Sequence, residues 1–165
     1  MSEDVKAELV ALIPRLRRFA WSLTGSRDEG DDLVQAACLK ALGALDQYEP
    51  GTRLDSWMFR ILRTGWIDRA RTRARRPGSS DPELLESLSD DGYAERKAEA
   101  RMTLDRVRAA MERLPDEQRE VLALVAVEGL SYREAADVIG APIGTVMSRL
   151  ARARARLGEM METAA

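Results

Sequence analysis

The stretch Leu130-Ser-Tyr-Arg-Glu-Ala-Ala-Asp-Val-Ile-Gly-Ala-Pro-Ile-Gly-Thr-Val-Met-Ser-Arg-Leu150 constrains this chain more than any other, because its start, stop and spacing signals agree. Ser131 with Glu134 three residues on is a capping box. Ala135 and Ala136 are small enough for a second helix to cross closely. Gly140 stands where the first helix must end in a residue of positive φ, and Pro142 suits the opening of the next. Val146 and Leu150, four apart, face inward. Thr145, Ser148, Arg149 and Arg152 are then left facing outward near the N-terminus of the second helix. Arg154 and Arg156 follow, and no acid interrupts positions 145 to 157. An amphipathic hairpin with a solvated arginine face is the plainer reading of such a pattern. The acid-free arginine run favours a helix-turn-helix whose second helix enters the major groove. There arginine reads guanine edges in bidentate fashion or holds phosphates.

The rest of the chain is also helical by periodicity, and no segment alternates as a strand would. Leu9, Leu12, Ile13, Leu16, Phe19 and Leu23 recur at helical spacing, with Pro14 predicting a kink or a fresh helix start. Gly25 ends that helix. Ser26 caps a second, whose first turns carry Asp28, Glu29, Asp31 and Asp32, where the helix dipole favours acids. Its predicted buried stripe is Leu33, Val34, Ala37, Ala41, Leu42 and Leu45, and Cys38 falls on a packed face. Tyr48 to Arg53 reads as a loop through its Pro-Gly pair. A third helix runs from about Leu54 to Arg75, with Trp57, Met58, Ile61, Leu62 and Gly65 inward. Arg76-Pro-Gly breaks it. Leu104, Val107, Met111 and Leu114 predict a fourth helix stopped by Pro115. Val121, Leu122, Leu124 and Val125 predict a fifth ending at Gly129. The expected fold is all-α: a module over residues 1–76, an acidic tether over 77–97 with Leu84, Leu85 and Leu88 its main apolar residues, and a second module over 98–165.

A net charge of −2 is unexpected for a nucleic-acid binder, but the charge is segregated. Arg60 to Arg76 holds seven arginines and one acid, and Ser79 to Ala100 holds seven acids against Arg96 and Lys97. The first block suits a phosphate backbone. Within it Arg63, Trp66 and Arg69 share a helical face. Two readings of Trp66 stay open, a platform for unpaired bases or a core residue, whereas Trp57 reads as core. The acids at Asp28, Glu29, Asp31 and Asp32 form a face suited to a protein partner. About 22 tether residues reach at most ~70 Å. That matches two DNA elements about two helical turns apart.

The absence of histidine removes Ser-His-Asp and Cys-His catalysis and nearly all zinc sites. A single cysteine excludes an internal disulfide and fits a reducing cytoplasm, the expected location. No apolar run is long enough to span a membrane, and no signal peptide is visible. No metal, phosphate-loop or nucleophile motif occurs, so neither a cofactor nor an enzyme activity is expected.

Three blocks resemble the extracytoplasmic-function sigma factors, the smallest class of the bacterial sigma-70 family. They are Asp31-Asp-Leu-Val-Gln35; Leu54-Asp-Ser-Trp-Met-Phe-Arg-Ile-Leu-Arg63 with Ile67-Asp68 and the arginine run; and Leu114-Pro-Asp-Glu-Gln-Arg119 through Arg154. The resemblance covers nearly the whole chain. It implies that the first module is sigma region 2 and the second region 4, and that the chain directs core RNA polymerase to promoters. Region 2 would hold the β′ clamp through Asp31, Asp32, Leu33, Val34 and Gln35. It would read the −10 element through Arg53, Arg60, Arg63, Thr64, Trp66 and Arg69. Region 4 would meet the β flap and read the −35 element through Arg133, Thr145, Ser148, Arg149, Arg152 and Arg154. An anti-sigma factor is an expected further partner. Ala36 stands where the family usually has an acid, and Thr64 where it often has Asn, which affects −10 choice. Ile13 to Ala20 and Leu23-Thr-Gly25 are similar to the alphaproteobacterial general-stress subgroup. Two other readings are a sigma-like decoy that sequesters an anti-sigma factor, and a dimeric helix-turn-helix regulator. The retained arginines speak against the first, and the lack of a dimerisation helix against the second.

Overall fold

The computed structural model describes residues 2–74 and 96–163, and every regular element among them is helical. The N-terminal module comprises α1 (Ser2–Thr24), α2 (Arg27–Gly43) and α3 (Leu54–Ala74), with a short 3-10 turn at Leu45–Gln47. The C-terminal module comprises α4 (Arg96–Glu112), α5 (Asp116–Leu122), α6 (Tyr132–Ile139) and α7 (Ile143–Thr163).

Local signals set most helix ends. The Ser26 side chain accepts from the Glu29 amide at 3.3 Å, and Ser131 accepts from the Glu134 amide at 3.1 Å. Gly140 ends α6 at φ 69° and donates to the Ala136 carbonyl. Pro14 does not restart a helix: α1 runs through it. The ring lies on the solvent side, so the Val10 carbonyl, deprived of its donor, faces water. Beyond α5 the chain continues as a π-helical turn over Ala123–Val127, closed by the Glu128 amide on the Ala123 carbonyl at 2.9 Å.

α1, α2 and α3 pack on one another around Leu16, Phe19, Leu23, Leu33, Met58, Phe59 and Leu62, all at 0–1% exposure. Phe19 meets Phe59 edge-on, ring centroids 5.0 Å apart. α5 and α6 lie against α7 through Val121, Leu124, Val138, Val146 and Leu150. The two modules do not stand apart. α6 packs on α3, and α1 packs on α4, α5 and the π turn, so one continuous apolar core runs through both.

Two stripe expectations fail. Leu42 is 44% exposed and Leu104 55% exposed. Leu104 instead lines an open cleft of about 220 Å³ between α1 and α4, with Trp21, Val107 and Met111. Cys38 is half-buried, and its burial pushes the thiol up from its ordinary value. The tether falls mainly on residues 75–95, outside the described residues, and α4 is already helical at Arg96. No described helix is long and apolar enough to cross a membrane.

Candidate nucleic-acid interface

α7 is held by Val146, Leu150 and Ala153, which places the residues between them outward. Ser148, Arg152, Arg154 and Arg156 are exposed, as is Arg133 on α6. Among the described residues Arg133, Arg152, Arg154 and Arg156 have no ion-pair partner, so their guanidiniums are available to an anion. Arg149 is less available: its side chain is 24% exposed and lies 3.8 Å from Glu117. Thr145 is half-buried, and its carbonyl accepts from the Ser148 hydroxyl at 3.3 Å. The open N-terminal amides of α7 add a positive end to the same surface. Ile143 and Met147, 45% and 51% exposed, share it and went unassigned in the sequence. Their four-residue spacing, out of step with Val146 and Leu150, was the available signal.

The arginines preceding and along α3 are differently placed. Arg53 donates to Asp55 at 2.7 and 3.1 Å and pairs with Glu134. Glu134 therefore spends its carboxylate on Arg53, and only the serine half of the expected capping box is formed. Arg60 donates to the Asp137 carbonyl at 3.1 Å. Arg63 grips Glu120 with two nitrogens, at 2.7 and 3.1 Å. Arg69 is half-buried, and the exposed Thr64 donates to the Arg60 carbonyl at 2.9 Å. Trp66 is 9% exposed with the modules closed, and lines a cleft that α3 forms with Asp116, Glu117 and Glu120 of α5. Trp57 is half-buried against Tyr48, ring centroids 5.2 Å apart.

Sequence reasoning missed the acids that oppose these arginines. The Glu128 carboxylate, with 0% side-chain exposure, accepts from two Arg18 nitrogens at 2.9 Å each and lies 3.5 Å from Arg15. That contact raises the Arg18 pKa above its ordinary value, mainly through the hydrogen bond. The Glu120 side chain is 3% exposed. Each acid sits beside the apolar run of Val121 to Val127, an unusual place for a charge and the one signal available. Arg119 completes the contact between modules. It donates to the carbonyls of Met111, Glu112 and Leu114 and, at 2.8 Å, to that of Leu23 on α1. Its burial pulls its pKa below the ordinary arginine value.

α2 presents a separate face. Asp32 and Gln35 are exposed, joined by Ala36, Leu39 and Leu42, with Leu39 67% exposed. Asp31 is turned aside: it accepts from Arg17 at 3.0 and 3.2 Å and from the Trp21 indole at 3.0 Å. The Arg17 hydrogen bonds are the main reason its carboxyl is held below its ordinary value. Leu33 and Val34, at 1% and 5% exposure, are core residues and cannot touch a partner. Their apolar side chains face α1 and α3, so they hold the helix rather than its surface.

The chain matches the family model of sigma-70 region 2 over residues 9–76 and that of sigma-70 region 4 over residues 104–157. It is 37% identical over 162 residues to the extracytoplasmic-function RNA polymerase sigma factor EcfG of Rhodopseudomonas palustris, covering 98% of this chain and 87% of that protein. Its structure is similar to that of the sigma factor RpoE of Bartonella quintana in complex with the anti-sigma factor NepR. That match has a TM-score of 0.80 and 36% identity, covering 97% of this chain and 98% of that one. It is also similar to CnrH in complex with the cytosolic domain of CnrY, at TM-score 0.74 and 27% identity, covering 100% and 92%.

Proposed function

Because this chain belongs to the extracytoplasmic-function sigma factors of the sigma-70 family, and so is an RNA polymerase sigma factor, we propose how its surfaces divide the work. Residues 1–76 act as region 2 and residues 98–165 as region 4. Arg133, Ser148, Arg152 and Arg154, with Thr145 and Arg149 behind them, meet the −35 element as α7 enters its major groove. Arg53, Arg60, Arg63, Thr64 and Arg69 hold the −10 strand. Trp66 supports that surface from within. Asp32 and Gln35, with Leu39 beside them, dock on the polymerase clamp, and Asp31 orients that face through Arg17. The chain has no chemistry of its own and works in the cytoplasm. An anti-sigma factor is its natural antagonist, by likeness to the RpoE and NepR pair.

One observation carries this reading: the row of exposed arginines, Arg152, Arg154 and Arg156, on α7 beside Arg133, without ion-pair partners among the described residues. A decoy needs no such row, since an anti-sigma factor can be held without reading bases. The test is a mobility shift on a labelled promoter fragment, with core polymerase and this chain added separately and together. A sharp, competitor-resistant complex only in the mixture supports the proposal. Binding of core polymerase with no promoter preference, or no binding of core at all, contradicts it.

A further inference from the structure

The carboxylate contacts between the modules share one polarity, although Arg119 of the second module also donates to the Leu23 carbonyl of the first. In each of these ion pairs the acid comes from residues 96–163 and the cation from residues 2–74. Glu128 holds Arg18 and Arg15, Glu120 holds Arg63, Glu134 holds Arg53, and the Asp137 carbonyl takes Arg60. Three of those cations, Arg53, Arg60 and Arg63, are among the residues assigned above to the −10 strand. We propose that the second module acts as a built-in brake, its carboxylates occupying the arginines that DNA phosphates must take. The proposal rests on the region 2 reading above and adds its regulation.

The geometry favours a two-state device over a loose association. The Glu128 and Glu120 side chains are 0% and 3% exposed, although their partners Arg18 and Arg63 are 53% and 21% exposed. The acids are thus sealed in by closure, and the arginines keep an edge toward solvent. A buried carboxylate that loses its cation is strongly disfavoured unless it is rehydrated. The contacts therefore break together as the modules part. The π turn contributes directly: Glu128 follows it, and the Glu128 amide makes its closing bond. Guanidiniums cannot serve carboxylates and phosphates at once, so the apparent DNA affinity of the free chain falls with the fraction that is open. The outer face of α2, with Asp32, Gln35 and Leu39, is not covered by the second module. Polymerase can then take the closed chain first and open it afterwards.

The full-length chain with Glu120→Gln and Glu128→Gln tests this without polymerase. Small-angle scattering reports the radius of gyration, and fluorescence anisotropy reports binding to a labelled single-stranded oligonucleotide. The expected result is a larger radius and about tenfold tighter binding, since a tenfold change needs only about 1.4 kcal/mol. Arg18→Gln, on an exposed side chain outside the DNA-holding set, should shift both readouts the same way and covers the case in which circular dichroism shows the double variant unfolded. An unchanged radius with unchanged binding in the folded variants overturns the brake. Promoter-specific complexes with polymerase can still form in that case, so loss of the brake and loss of the sigma reading are separable outcomes.

Discussion

Glu128 and Arg18 lie 110 residues apart in the chain, yet both Arg18 donors meet the Glu128 carboxylate at 2.9 Å, with no solvent reaching the acid. That contact joins the N-terminal helix to the end of the π turn and shows the modules closed on each other. Among the described residues Arg152, Arg154 and Arg156 of α7 have no ion-pair partner, whereas Arg53, Arg60 and Arg63 are each held by a residue of the second module. The two surfaces proposed to read DNA are therefore in unequal readiness, which leads to separate expectations for each.

Removing Arg152 should weaken the −35 contact selectively. A guanidinium reading a base edge contributes about 1–3 kcal/mol of discrimination, so Arg152→Ala should flatten the preference at one base pair. Arg154→Ala should weaken all sequences alike and lower the salt dependence by about one unit of slope. Competition binding of the polymerase-bound chain at several salt concentrations separates the two.

Asp32 and Leu33 are neighbours with opposite roles. Asp32→Ala should leave the melting temperature unchanged and weaken association with core polymerase. Leu33→Ala removes a fully buried side chain and should cost about 2–5 kcal/mol of stability. Thermal unfolding and polymerase pull-down on both variants check this, and equal loss of binding at equal stability would place Leu33 on the surface.

Arg119 ties α1 to the turn between α4 and α5 through four carbonyls. Arg119→Ala removes donations to three part-buried carbonyls and one exposed carbonyl and should cost about 1–3 kcal/mol. Arg119→Lys, a point charge without the planar fork, should recover only part of it. Chemical denaturation measures both.

Acid should loosen the N-terminal module. Asp31 is held below its ordinary value mainly by Arg17. Burial would raise Asp55, but hydrogen bonds from Arg53, the Ser56 amide and Arg15 outweigh it and hold that carboxyl low as well. A depressed native pKa adds stability that is complete above the unfolded value and lost as pH falls through the native one. The loss should begin near pH 5 and deepen below about pH 4, where unfolded aspartates protonate. Asp31→Asn with Asp55→Asn should be less stable at neutral pH and flatter over that range, by denaturation at stepped pH.

The helix ends were legible because they are local. Ser26, Ser131 and Gly140 each act within four residues, and each does in the structure what its type requires. The closure of the modules was not legible, because its determinants are pairs separated by 57 to 113 residues. Glu120 and Glu128 look like ordinary solvent acids until Arg63 and Arg18 are brought to them. Leu42 and Leu104 continue a helical stripe but stay exposed, Leu104 beside an open cleft between α1 and α4, and periodicity cannot reveal how closely a neighbouring helix approaches. Trp66 was undecided for the same reason. An arginine-flanked tryptophan has one spacing whether its ring meets bases or core, and only the packing of α5 beside α3 shows it buried with the modules closed.

The central claim is that the arginines of α3 and of α7 act together on promoter DNA once polymerase holds the chain. Run-off transcription with core polymerase tests it most directly, using Arg60→Glu with Arg63→Glu in one variant and Arg152→Glu with Arg154→Glu in another. The account predicts a specific transcript from the unaltered chain and its loss in each variant separately, with both variants still bound to polymerase. Undiminished transcript from either charge-reversed chain would contradict it.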